Sequence, residues 1–224
     1  MIDLQRILCR RRGQIRPVGQ SGFTLVELMV VVIIVAALAV VAIPQITRRM
    51  KDRRTQQAAF EISALYRNAR MRAIGRGTAV LVRYSDANQG SVQVRERVMG
   101  TGSATCQTMP VSSCTQGGLW NNTDSLEVGS FDPQNLPFYD GVRITANGAP
   151  PGDAQLQPFM DVCFTPLGRA FVRYTANGTW TGLSGVPVIT VARLAPNQEP
   201  IGLIRTVMFL PNGTARLGVG NPGP

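Results

Sequence analysis

The sequence predicts an α+β protein: one long amino-terminal α-helix, membrane-spanning in its first half, packed on an antiparallel β-rich carboxy-terminal domain. Three observations predict it. Between Leu25 and Ile43 the only charged residue is Glu27, and about 19 such residues suffice to cross a bilayer core of ~30 Å as a helix. Beyond Pro44, apolar residues recur at helical spacing as far as Ala73, with no further glycine or proline before Gly75. After Gly77 the period drops to two, in short segments separated by turn residues.

The amino-terminal part comes first. Arg6, Arg10, Arg11, Arg12 and Arg16 precede the apolar run, and positive charge on that side of a membrane helix holds it in the cytoplasm. The remainder then lies on the far side, the periplasm of a Gram-negative cell. A signal peptide or a plain anchor also begins this way. The apolar run is too long for a signal-peptide core, however, and no small-x-small cleavage site closes it. The polar break at Gly22 stands before the run, and Glu27 sits one helical turn past Phe23.

Past Pro44 the helix continues to Ile74. A proline inside a helix removes a hydrogen bond and bends it, so a kink is expected at Pro44. A helix from Phe23 to Ile74 is roughly 78 Å long at 1.5 Å per residue. Ala58, Ile62, Leu65, Ala69 and Ala73 line one face of it, opposite Arg67, Asn68, Arg70 and Arg72. That stripe needs a cover, and the strands that follow must supply it. Thr78–Tyr84 and Ser91–Val98 alternate around a turn at Asp86–Gly90. A loop-rich middle runs from Met99 to Pro158, with Gly141–Ala146 as its clearest strand. Met160–Thr165, Arg169–Thr175, Val186–Leu194, Leu203–Leu210 and Thr214–Leu217 complete the set, separated by PLG, NG, PNQEP and PNG turn signals.

The chain has 224 residues, a formal net charge of +10 and no histidine. Residues 1–22 hold 4 of the 10 net charges and the rest of the chain holds 6. The absence of histidine removes the commonest metal ligand and the commonest general base at neutral pH. With no GxSxG element and no phosphate loop either, the sequence predicts no enzyme, no cofactor and no metal. Of the four cysteines, Cys106 and Cys114 bracket the short loop QTMPVSS, so a Cys106–Cys114 disulfide is expected. Closing that loop of about nine residues contributes ~2–3 kcal/mol by chain entropy. Cys163, between Val162 and Phe164, then reads as a buried thiol in a strand; a bridge from Cys163 to either partner is the alternative.

The stretch Gly22-Phe-Thr-Leu-Val-Glu27, with the apolar run to Pro44, resembles the processing site and first helix of type IV pilins and type II secretion pseudopilins. The resemblance implies cleavage by a prepilin peptidase between Gly22 and Phe23 and N-methylation of Phe23. It makes Glu27 the subunit-docking carboxylate, paired with the Phe23 amine of a neighbour. It divides the chain into a leader (1–22), a long helix (23–75, about 24–44 transmembrane) and a periplasmic β-rich domain (76–224). A looser resemblance, on residues 69–82, Phe164–Arg169 and Val207–Gly213, is to the FimT/GspH group, which implies a β-sandwich-like domain behind the helix.

The expected function is that of a minor type IV pilin, a structural subunit that primes or caps pilus assembly. A type II secretion minor pseudopilin is the alternative. Expected partners are other minor and major pilins, the prepilin peptidase, the inner-membrane assembly platform and inner-membrane lipid, with Arg48, Arg49, Lys51, Arg53 and Arg54, just beyond the membrane, as candidates for lipid phosphate or for acidic neighbours in a filament. Some FimT-like pilins are associated with DNA uptake through arginines near the carboxy terminus. The candidates for a DNA contact here are Arg169, Arg173 and Arg216, which lack a paired Gly-Arg-x-Arg.

Overall fold

The computed structural model describes residues 22–99, 109–115, 120–148, 156–195 and 197–220. One helix, α1, spans Leu25–Arg76, within two residues of the expected bounds at each end. Pro44 lies inside that span. Residues up to Gln45 and residues from Ile46 onward form two separate compact units.

In the first unit the helix turns its apolar side chains outward all round. Leu25, Val26, Ile33, Leu38 and Val40 are all exposed. A helix that is apolar on every side and left exposed among the described residues belongs in a bilayer or a helix bundle. This stretch is long and apolar enough to cross a membrane.

The second unit begins with the rest of α1 and continues as two antiparallel sheets. The strands are β1 (Val80–Ser85), β2 (Ser91–Met99), β3 (Met109–Pro110), β4 (Ser125–Phe131), β5 (Val142–Asn147) and β6 (Leu156–Gln157). They continue with β7 (Phe159–Phe164), β8 (Ala170–Arg173), β9 (Thr181–Gly182), β10 (Val188–Leu194), β11 (Pro200–Phe209) and β12 (Ala215–Gly220). The first sheet runs β3-β2-β1-β7-β8-β9, with β4 also on β2; the second runs β12-β11-β10-β5-β6. The hairpin read from the alternation around Asp86–Gly90 is present, with Val82 opposite Val94.

Between α1 and the sheets lies one core. The predicted helix stripe is buried at Ala58, Ile62, Ala69 and Ala73 and partly buried at Leu65, and Ala59 and Tyr66 join it. The alanines have little side chain to hold the helix off, so Val82, Val94 and Val162 of the first sheet and Ile189, Val191 and Val207 of the second meet it. Tyr66 stacks on Phe209 with ring centroids 3.8 Å apart. Beyond the stripe, Arg72 and Arg76 reach Glu96 of β2 at 2.6 and 3.0 Å, which ties the last turns of α1 to the sheet.

The middle region is more structured than its composition suggests. It contains β4, a seven-residue strand that takes up the outer side of β2, with Val92 opposite Phe131. Ser125-Leu-Glu-Val-Gly-Ser-Phe131 alternates poorly and includes Gly129, so no strand signal marks it. Its pairing with a strand some thirty residues earlier is what makes it a strand.

The cysteines also pair differently from the expectation. Cys114 is bonded to Cys163, with Cα atoms 6.0 Å apart. The expected Cys106–Cys114 bridge is therefore corrected; Cys106 itself lies outside the described residues. Cys163 is nonetheless in a strand, as read, facing away from the main core. On its outward side Cys114 and Trp120 form a second small core with Ala79, Leu81 and Cys163. A strand position is compatible with a bridge because the face opposite the core is itself covered.

Candidate functional site

At the amino-terminal end, Gly22, Phe23 and Thr24 precede α1 in irregular conformation. Thr24 occupies the N-cap: its Oγ1 accepts a hydrogen bond from the Glu27 N–H at 3.2 Å, and its carbonyl accepts one from the Leu28 N–H at 3.1 Å. Thr24-Leu-Val-Glu27 is thus a capping-box pattern, Thr at the N-cap and Glu at the third helical position. A carboxylate there also faces the positive end of the helix dipole. The sequence reading assigned Glu27 to docking alone and missed this local role, although the Thr-x-x-Glu spacing displays it. Phe23 and Leu25 are strongly exposed, which leaves the peptide bond between Gly22 and Phe23 outside any packed core.

The three carboxy-terminal arginines do not share one environment: Arg169 and Arg216 are exposed and Arg173 is buried. Arg169 is exposed in the turn between β7 and β8, with its N–H bonded to Thr165 Oγ1. Arg216 is exposed on β12. Arg70 of α1 lies against Gly168 and Gly213, the glycines of the turns that precede them. Arg173 is different. It is buried, and its Nε donates to Asp161 Oδ2 at 2.8 Å. Asp161 is completely buried, and it also accepts two hydrogen bonds from Arg83, at 2.9 and 3.0 Å. Arg173 lies over the Trp180 ring at 4.5 Å and Arg83 over Phe159 at 5.1 Å. A DNA contact through Arg173 is therefore corrected: its guanidinium is committed to an internal ion cluster beneath an indole. Register explains this, because Asp161 stands between Arg83 and Arg173 in paired strands, all three on the outward face of the first sheet.

That outward face holds further buried cations. Arg95 donates to Ser125 Oγ at 2.9 Å and to Asn122 Oδ1 at 2.7 Å. Arg97 donates to the Ser113 carbonyl at 2.9 Å and lies over Trp120 at 5.4 Å. Burial lowers the pKa of the Arg97 guanidinium, against the opposing field of Asp124. These arginines hold Ser113, Trp120, Asn122 and Ser125 against the sheet and are not an open basic surface. A cleft of about 520 Å³ opens beside them, lined among others by Arg83, Gln93, Glu127, Asp132 and Phe159. Among the described residues no group of three or more metal-ligating side chains converges.

Residues 18–43 match the model of the prokaryotic N-terminal methylation motif. No curated protein matches the chain. Among solved structures, the type IV minor pilin FimU of Pseudomonas aeruginosa (strain PAO1), in two crystal forms, aligns with this chain at 14% identity. The alignments cover 75% of this chain and 88% and 93% of FimU, with TM-scores of 0.35 and 0.34. Scores that low carry no argument about this chain, whose architecture rests on the helix and strands described above.

Proposed function

From the premise that its methylation motif makes this chain type IV pilin-like, we propose that it is a minor subunit of a type IV pilus. It is made as a precursor, cut between Gly22 and Phe23, and methylated on the new Phe23 amine. The observation that carries the reading is the junction itself: the motif spans residues 18–43, and an uncovered apolar helix starts two residues past the cut. In the membrane the helix waits with its β-domain in the periplasm. In the filament the apolar surface that lipid covered is covered by other pilin helices, so assembly exchanges one apolar environment for another. Priming or capping is the role we assign, in the company of other pilins, the peptidase and the assembly platform. A type II secretion pseudopilin would use the same parts in a shorter filament. DNA contact is left with the exposed Arg169 and Arg216 and would be salt-sensitive without sequence choice.

Glu27 has two duties in this reading, and they separate cleanly. An unpaired carboxylate is costly in hydrocarbon, so it meets the Phe23 amine released by cleavage, across subunits in the filament. The capping role needs only an acceptor side chain, which glutamine retains. In cells with the peptidase, mass spectrometry should find the chain beginning at methylated Phe23, and Gly22→Val should keep it intact. Glu27→Gln should be processed normally yet assemble as poorly as Glu27→Ala. An intact amino terminus in peptidase-positive cells would overturn the reading; full assembly of Glu27→Gln would reduce Glu27 to a helix cap.

A further inference from the structure

The two sheets end differently at their edges. An open strand edge is a template for pairing with another chain, and natural proteins blunt it by shortness, charge or bulges. Among the described residues β3, β6 and β9 are two residues each. The longer β4 carries Glu127 and lies against a register shift in β2. β12 is neither that short nor bulged. It is six residues long, and its register with β11 is unbroken from Ile204–Gly220 to Phe209–Ala215. Its only charged residue is Arg216.

Core rows of the second sheet also stop short at this edge. One row runs Ile189, Val207, Leu217; the next runs Ile144, Val191, Arg205, Val219. The inner members Ile144, Ile189, Val191 and Val207 are fully buried, whereas Leu217 is 38% exposed and Val219 69%. Beside them α1 leaves Phe60 47% exposed. Between helix and edge lies a groove of about 270 Å³, bordered by Gln56, Phe60, Arg205, Leu217 and Val219. Arg205 stands in a core row with its Nε buried and unpartnered, and among the described residues no carboxylate lines the groove. A buried guanidinium N–H without an acceptor is costly.

We propose that the β12 edge and this groove receive an extended segment of a different subunit of the same filament, apolar at alternate residues and bearing one carboxylate that reaches through the groove to the Arg205 side chain. The segment adds a sixth strand to the second sheet: its backbone pairs with β12, its apolar residues continue the two core rows over Phe60, and its carboxylate satisfies Arg205. A second copy of this chain does not fit. Two β12 edges paired with one another supply no carboxylate to either Arg205, because β12 carries neither Asp nor Glu. This inference names a contact for the filament reading and rests on it.

The test uses the full chain in cells that make its filament, with the photo-crosslinker benzoylphenylalanine at position 219 and, as control, at the exposed Leu167. The expected result is a light-dependent adduct from position 219 at least tenfold above the control. Mass spectrometry should identify its partner as a different chain that itself begins at a processed methylation site, linked through an alternating apolar segment with an Asp or Glu. Arg205→Glu should reduce the adduct at least tenfold, and an Arg at the partner's carboxylate should restore it. Leu217→Asp, on the exposed edge, should reduce it as well. Retention of the Cys114–Cys163 bond on non-reducing gels shows that each variant is folded. With the amino terminus processed at Phe23, either an adduct no stronger than the control or one to a second copy alone overturns this contact and leaves the filament reading standing. An unprocessed amino terminus overturns both.

Discussion

Tyr66 shows how far a single residue departs from what its neighbours in sequence suggest. It sits in the alanine-rich stripe of α1 and is buried to 1% exposure, stacked on Phe209, with no hydrogen-bond partner for its hydroxyl. Burial, then the field of Asp161 and then that of Tyr84, push its pKa well above the ordinary phenol value. Burial likewise raises Tyr84, beside Asp86, and Tyr139, which donates to Glu61. A phenol whose folded pKa is raised stays protonated in the native state while the unfolded chain ionises above about pH 10, so stability is full below that pH and falls above it. Tyr66→Phe removes an unpartnered buried hydroxyl, worth about 1 kcal/mol. Thermal melts of the full chain in detergent should show Tyr66→Phe more stable at pH 7, with a shallower loss of stability above pH 10.

At the scale of elements, register decides which side chains meet. β1, β7 and β8 are neighbours, and the pairings Arg83–Asp161 and Asp161–Arg173 set one carboxylate between two guanidiniums on the outward face. Removing one partner of a buried ion cluster strands the others, at a cost of about 3–5 kcal/mol. Asp161→Asn keeps the shape and removes the charge, so its unfolding midpoint in urea should fall accordingly. An unchanged midpoint would mean that water already satisfies the two arginines. Gly90 is another register-dependent position. It adopts φ 93°, and a Cβ there would collide with the Ile144 carbonyl of β5, so the turn before β2 approaches the second sheet through a residue without a side chain.

For the whole molecule, the Cys114–Cys163 bond joins a covering segment to the centre of the first sheet across 49 residues of chain. Loop-closure entropy gives such a bond about 4 kcal/mol, more than the ~2–3 kcal/mol of the short loop expected from sequence. Cys114→Ser and Cys163→Ser should each lower the melting temperature, and the double variant should be no worse than either single one, because the same bond is lost each time. Peptide mapping without reductant should yield one linked pair, Cys114 with Cys163.

Local pattern determined much of this protein from the sequence alone. The helix from Leu25 to Arg76, its buried stripe, the β1–β2 hairpin and most carboxy-terminal strands were legible, because periodicity and turn chemistry act between residues close in the chain. The amino-terminal motif was legible for the same reason: Gly22, Phe23 and Glu27 lie within six residues of one another. What only the tertiary structure decided were relations across long separations. These are β4 against β2, Cys114 with Cys163, Arg173 sealed on Asp161, and Arg205 left unpartnered in a core row at an open edge. No residue type carries those outcomes by itself. They follow from strand order and register, which are set when distant segments compete to bury the same face, and a shift of one residue would turn each of these side chains to the other side of its sheet.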